Sequence, residues 1–211
     1  MLARRSLLRS PLALGAAALV VAAAAPAVAR AQGVEVTPYF ASYYPLANIG
    51  RSDEFEEKQT SAAGLGARVT VPVAGAVTAE GSVSYVWSGT TITSKDGSGG
   101  SPGLLKGNII YANGRVRFTP RRSNLYFLGG AGIVKRGGPT WSGGNKTLTS
   151  AAGVIGAGVR AHVTPAFALD VGAEVNLYNA NMDKGGTTSY TNKFQQDVLI
   201  TIGVPIRLGV R

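Results

Sequence analysis

From residue 167 to residue 178 the chain reads FALDVGAEVNLY, and taking every second residue sorts it into two characters. Phe167, Leu169, Val171, Ala173, Val175 and Leu177 fall on one side, and Ala168, Asp170, Gly172, Glu174 and Asn176 on the other. A period of two is that of a β-strand with one apolar and one polar face. The same alternation predicts eight strands, near residues 34–44, 62–71, 77–87, 108–118, 124–135, 151–163, 167–178 and 196–210. In the third, Val77, Ala79, Gly81, Val83, Tyr85 and Trp87 oppose Thr78, Glu80, Ser82 and Ser84. In the last, Val198, Ile200, Ile202, Val204, Ile206 and Leu208 oppose Thr201, Gly203, Arg207 and Gly209. The segment NLYFLGGAGIVK at 124–135 does not sort, and its facing stays open.

The connections alternate as the side chains do. Short ones lie around 72–76, 119–123 and 164–166, and long polar ones over 45–61, 88–107, 136–150 and 179–195. An up-and-down meander puts every short turn at one end and every long loop at the other. The predicted fold class is therefore all-β, an eight-stranded antiparallel up-and-down barrel spanning a membrane. In such a barrel the short turns are periplasmic and the long loops are extracellular.

The same alternation also suits a soluble lipocalin-like periplasmic barrel, which hides its apolar face where a membrane barrel hides its polar one. Three features favour the membrane. The polar rows alternate glycine with arginine and glutamate, as a narrow lumen filled by long charged side chains requires. Aromatics gather at the strand ends: Tyr43, Tyr44, Tyr85, Trp87, Tyr111, Tyr178 and Phe194 towards the long loops, Phe118, Tyr126, Phe127 and Phe167 towards the short turns. Two such girdles fit two lipid interfaces. The third feature is a leader. Residues 1–31 carry a basic start at Arg4, Arg5 and Arg9, an apolar run and small residues at Ala29 and Ala31, the layout of a cleaved signal peptide.

The leader changes the charge. Four of the 21 basic residues fall within it and all 11 acids lie beyond it, so the formal balance drops from +10 to +6 over residues 32–211, the single barrel domain. The remaining cations are dispersed, which argues against a nucleic-acid partner. No cysteine is present, which excludes disulfides and thiolate sites.

The eight-strand layout, hairpins such as GVIGAGVRAHVTPAFALDVGAEVNLY and the closing strand DVLITIGVPIRLGVR together resemble the eight-stranded outer-membrane barrels of the OmpA, OmpX and OmpW type. The resemblance implies folding by the barrel-assembly machinery and residence in the outer membrane of a Gram-negative-type bacterium, in contact with membrane lipid and lipopolysaccharide. It also implies a role in envelope integrity, adhesion or small-molecule passage. These barrels usually end in an aromatic residue, whereas this chain ends in Val210 and Arg211.

Little catalytic chemistry is legible. The only histidine, His162, falls beside a short turn, far from the outer leaflet where a lipid A-modifying enzyme works. The acidic run DEFEEK (53–58) lacks the ligand spacing of a calcium loop. SKDGSGGSPGLLKG (94–107) has no helix to complete a phosphate cradle. Lys106, Lys135, Arg136, Lys146, Lys184 and Lys193 give the long-loop end a cationic tendency. The expectation is a monomeric, non-enzymatic structural or surface-interaction barrel with no catalytic residue, cofactor or metal site; the alternative is a small-ligand binder or narrow channel. Its distinctive residues form a lumenal charge network of Glu35, Arg68, Glu80, Arg115, Arg117, Arg160, Asp170, Glu174 and Arg207. Hairpin arithmetic sets Arg160 opposite Asp170 across the 164–166 turn, Arg68 opposite Glu80 across the 72–76 turn, and Glu35 near Arg207 at the closing seam.

Overall fold

The computed structural model describes residues 33–48, 50–51, 55–94, 104–138, 148–164, 167–180 and 193–208, so the predicted leader over 1–31 lies outside the described residues. Each alternating segment forms a strand. They are β1 (Val34–Pro45), β4 (Ala62–Ala74), β5 (Val77–Val86), β8 (Asn108–Phe118), β9 (Leu125–Gly137), β10 (Leu148–Thr164), β11 (Phe167–Ala180), β12 (Lys193–Gly203) and β13 (Ile206–Leu208). All pairings are antiparallel, and β1 pairs with β4 on one side and with β12 and β13 on the other, so the wall closes. β12 and β13 form one stave interrupted at Val204 and Pro205, which makes eight staves. Closure gives every stave two neighbours, with only the short β13 paired on one side alone, which is what an apolar surround demands of the backbone.

The apolar rows face outward. Phe40, Leu65, Val69, Val83, Val116, Ile155, Val171, Ile200 and Ile202 are all exposed on the wall, while Glu80, Arg115, Asp170, Glu174 and Thr201 are buried inside it. That is the reverse of a lipocalin-like arrangement. In water, such a band would far exceed the apolar patches that soluble monomers tolerate. β9, whose facing the sequence leaves open, places Tyr126, Leu128, Val134 and Arg136 inside and Leu125, Phe127 and Lys135 outside.

Two expectations change in the connections. The first two long loops are partly ordered as a second sheet of β2 (Gly50–Arg51), β3 (Phe55–Gln59), β6 (Thr90–Ser94) and β7 (Leu104–Leu105). The central pair, β3 and β6, extends the β4–β5 hairpin past the barrel rim, stitched by Thr60 N to Gly89 O at 3.0 Å and Trp87 N to Ala63 O at 3.0 Å. The β4–β5 turn is tighter than the predicted five residues: it is made by Gly75 and Ala76, with Gly75 left-handed at φ 53°, and the register shifts between Pro72 and Ala74. Only glycine enters that conformation without steric cost.

Lumenal glycines make room for rings. A Cβ at Gly158 would run into the ring of Tyr126, and one at Gly66 into the ring of Tyr39. Each ring in turn lies under a guanidinium, Arg117 over Tyr126 at 3.5 Å and Arg68 over Tyr39 at 4.5 Å. Glycine, tyrosine and arginine thus stack across the lumen with cation–π contact in the outer layer.

The wall predicts a depth-dependent penalty. Val171→Arg, on the outward row of β11, should lower the unfolding free energy by about 2 to 4 kcal/mol in lipid vesicles, measured by urea titration. A change below about 0.5 kcal/mol, the usual range for a solvated surface site, would mean that Val171 does not meet lipid.

Candidate functional site

The charged residues that sequence parity assigns to the lumen form one connected network. Its centre is Asp170 on β11, whose carboxylate accepts from Arg68 Nη1 at 3.1 Å, Arg117 Nη1 at 3.0 Å, Arg160 Nη2 at 2.9 Å and the Tyr126 hydroxyl at 2.6 Å. Glu80 on β5 takes a close charged hydrogen bond from Arg115 Nε and lies 3.7 Å from Arg117 and 4.0 Å from Arg68. Arg115 also bonds Glu174 through Nη1. Towards the short turns, Arg160 holds Glu35 in a two-pronged grip at 2.9 and 2.6 Å, and Arg207 reaches Glu35 at 3.8 Å. The chain of contacts runs Arg207, Glu35, Arg160, Asp170, Arg68 and Arg117, Glu80, Arg115, Glu174. With Tyr126 on β9 it draws on all eight staves.

The pairings within hairpins differ. Arg160 stands opposite Asp170 across β10 and β11, and Glu35 opposite Arg207 across β1 and β13. Arg68, however, stands opposite Ser82, and Glu80 opposite Thr70, which donates its hydroxyl at 3.2 Å. The predicted Arg68–Glu80 pairing is off by two residues because the turn is shorter and the strand irregular beside Pro72. Arg68 still reaches Glu80 diagonally, but its direct partners are Asp170 and Thr201, 3.1 and 3.0 Å away.

A second cluster, not anticipated from the sequence, fills the half of the lumen nearer the long loops. Asp197 on β12 accepts from Tyr43 at 3.0 Å, from Tyr111 at 2.7 Å and closely from Tyr178, with Arg136 Nη2 at 3.8 Å. Arg136 also donates to the Tyr178 hydroxyl and to Gln59 Oε1, the latter at 3.5 Å. These residues correct two expectations. Tyr43 and Tyr111 are 0% exposed and Tyr178 and Tyr126 are buried too, so four of the presumed girdle aromatics are lumenal. Arg136 is buried rather than part of a cationic loop surface. A signal was available. Tyr43 and Tyr44 are neighbours on one strand, as are Tyr126 and Phe127, so one of each pair had to face inward. Tyr44, Tyr85, Trp87, Phe118, Phe127, Phe167 and Phe194 remain outward.

His162 lies at the short-turn mouth, in a cavity with Ser123 and Asn124, and makes no hydrogen bond or ion pair with either. Of the acidic run, Asp53 and Glu54 lie outside the described residues, and the rest belongs to β3. Lys146 and Lys184 also lie outside them, while Lys106 and Lys135 are exposed.

No family model and no curated protein matches the chain in sequence. Solved structures do match its fold. The outer membrane protein OprG from Pseudomonas aeruginosa aligns with TM-score 0.54 at 12% identity, over 86% of this chain and 98% of that one. The fold is that of an eight-stranded outer-membrane β-barrel. The outer membrane protein AlkL, solved in lipid bilayers, gives TM-score 0.54 at 11% identity over 85% of this chain and 91% of its own. Neisserial surface protein A gives 0.50 at 12% identity over 83% and 96%. At such identities the likeness is one of fold alone.

Removing one partner of a buried ion pair typically costs about 3 to 5 kcal/mol because the other is left uncompensated. Asp170→Ala strands three arginines and should lie at or above the top of that range; Arg160→Ala, whose side chain is partly exposed, should lie lower. The double variant should lose clearly less than the sum in equilibrium unfolding. Additive losses would mean that the two side chains do not interact.

Proposed function

We propose that this protein is a non-enzymatic outer-membrane barrel that serves as a rigid scaffold and does its work at its ends. The observation that carries this reading is the filled lumen. The Asp170 network and the Asp197 cluster stack one above the other, with Arg68, Arg115, Arg117, Arg136, Glu80, Asp170, Glu174 and Asp197 all buried. Charges held this way obstruct the axis of an eight-stranded barrel, whose interior is just wide enough for side chains. The long-loop end is then the contact surface, and the β3–β6 extension gives it a shaped projection above the rim.

Outer-membrane residence is supported by the outward apolar wall, the outward aromatics at both strand ends and the fold shared with OprG and AlkL. Apart from the short β13, the wall has no free edge for pairing with another copy, which fits a monomer held in lipid and lipopolysaccharide after insertion by the barrel-assembly machinery. Catalysis has no support in His162, which lacks a nucleophile and an orienting acid bonded to it.

The alternative, a narrow channel, separates cleanly. Purified monomer in planar bilayers should show small or rare conductance, and steady large currents would establish an open path. On gels run without boiling, the detergent-extracted protein should migrate differently from the boiled sample, as folded membrane barrels do. Recovery in the soluble periplasmic fraction would refute the outer-membrane reading.

A further inference from the structure

The charge in the lumen is not evenly placed. The Asp170 network holds five arginines (68, 115, 117, 160 and 207) against four carboxylates (35, 80, 170 and 174), so it carries one positive charge in excess. That excess lies at the short-turn mouth, where Arg207 is 67% exposed and meets Glu35 only at 3.8 Å. Two adjoining cavities open there. One, of about 130 Å³, is lined by Arg117, Arg160, His162, Ser123, Asn124 and three threonines, with no carboxylate among its walls. The other, of about 340 Å³, shares Thr70, Thr78 and Arg160 with the first and adds Arg207 and Glu35.

Donors in these cavities are left over from the protein's own bonding. Arg117 spends only Nη1 on Asp170 and Glu80, so, although the guanidinium stacks on Tyr126, Nε and Nη2 make no hydrogen bond or ion pair in the protein. The hydroxyl of Thr78 is buried and bonds to nothing in the protein. Glu35, which pairs with Arg160, lines the second cavity only, and the walls of the first hold two guanidinium groups and several hydroxyls but no carboxylate. Guanidinium groups and hydroxyls converging on a space without acidic walls suit a tetrahedral oxyanion, for which arginine supplies parallel charged hydrogen bonds.

We propose that the first of these cavities is a binding site for a phosphate-sized oxyanion, held by Arg117 Nε and Nη2 and the Thr78 hydroxyl, with Arg207 in the adjoining cavity adding its positive charge nearby. The anion neutralises the excess charge of the network and caps it on the side opposite the long loops. Its position inside the strand ends gives access from the water at the mouth, whether to free phosphate or to the phosphate of a lipid headgroup bent in from the rim.

The test is calorimetric titration of the full mature chain, folded in a phosphate-free detergent, with inorganic phosphate. Saturable binding to one site is expected. Thr78→Val removes a hydroxyl with no partner, and Arg207→Gln removes a cation at the edge of the network, so both variants should keep the heat-dependent gel shift of the folded barrel. Together they should weaken phosphate binding about tenfold or more, the effect of losing a charged hydrogen bond. Lys135→Gln, at the opposite end, should leave it unchanged. Repeating the titration in phospholipid nanodiscs separates the sources: undiminished binding identifies free phosphate, and loss of binding there with retention in detergent identifies a headgroup already in place. Absence of saturable binding in detergent would overturn the proposal, as would equal affinity in Thr78→Val, Arg207→Gln and the unaltered protein.

Discussion

A carboxylate shielded from solvent inside a narrow cylinder has to be answered by cations of the same chain, and Asp170 is where this barrel meets that constraint. Its two oxygens are bonded to arginines from β4, β8 and β10 and to a tyrosine from β9. A charge left alone in such a place would lose its hydration with nothing in return. The lumen is balanced accordingly: Arg68, Arg115, Arg117, Arg136 and Arg160 face Glu35, Glu80, Asp170, Glu174 and Asp197. The one further arginine of the network, Arg207, is largely exposed.

The same contacts hold the staves in register. A slip of one residue would turn the arginines of a strand into the lipid and its valines into the lumen. A slip of two keeps the facing but separates the partners, so Arg160 would lose Asp170 and Glu35 together. The outward rows set only which face meets hydrocarbon, and any even slip satisfies them equally. Register is therefore specified by the polar interior, while the apolar exterior supplies the preference for the membrane.

The two halves of the lumen use different chemistry. Nearer the long loops, Asp197 is surrounded by three tyrosine hydroxyls and a single arginine, a neutral and closely hydrogen-bonded plug. Nearer the short turns the filling is ionic, and its outermost member, Arg207, reaches the mouth largely exposed. A barrel built this way has its described lumen filled by side chains and is chemically distinct in its two halves.

Much of this was legible in the chain. Alternation is a property of one strand at a time, so the eight staves, the facing of Asp170, Glu174, Arg160 and Glu80, and even the Arg160–Asp170 opposition across a short turn could be read without a structure. What could not be read depends on more than one strand. Whether Tyr43 or Tyr44 points inward is a parity decision that aromaticity obscures, and the glycine-rich run of β9 hid Arg136 by offering no contrast between faces. The opposition of Arg68 and Ser82 follows from a two-residue turn and an irregularity beside Pro72, which shift the pairing without changing any side chain's face. Above all, Tyr43, Tyr111, Tyr178 and Asp197 come from four strands and meet only because the sheet closes. The sequence by itself determined which side of each strand is polar, because local periodicity answers to the solvent on each face; only the tertiary structure decided which polar groups touch, because closure and stagger bring together residues that no local pattern relates.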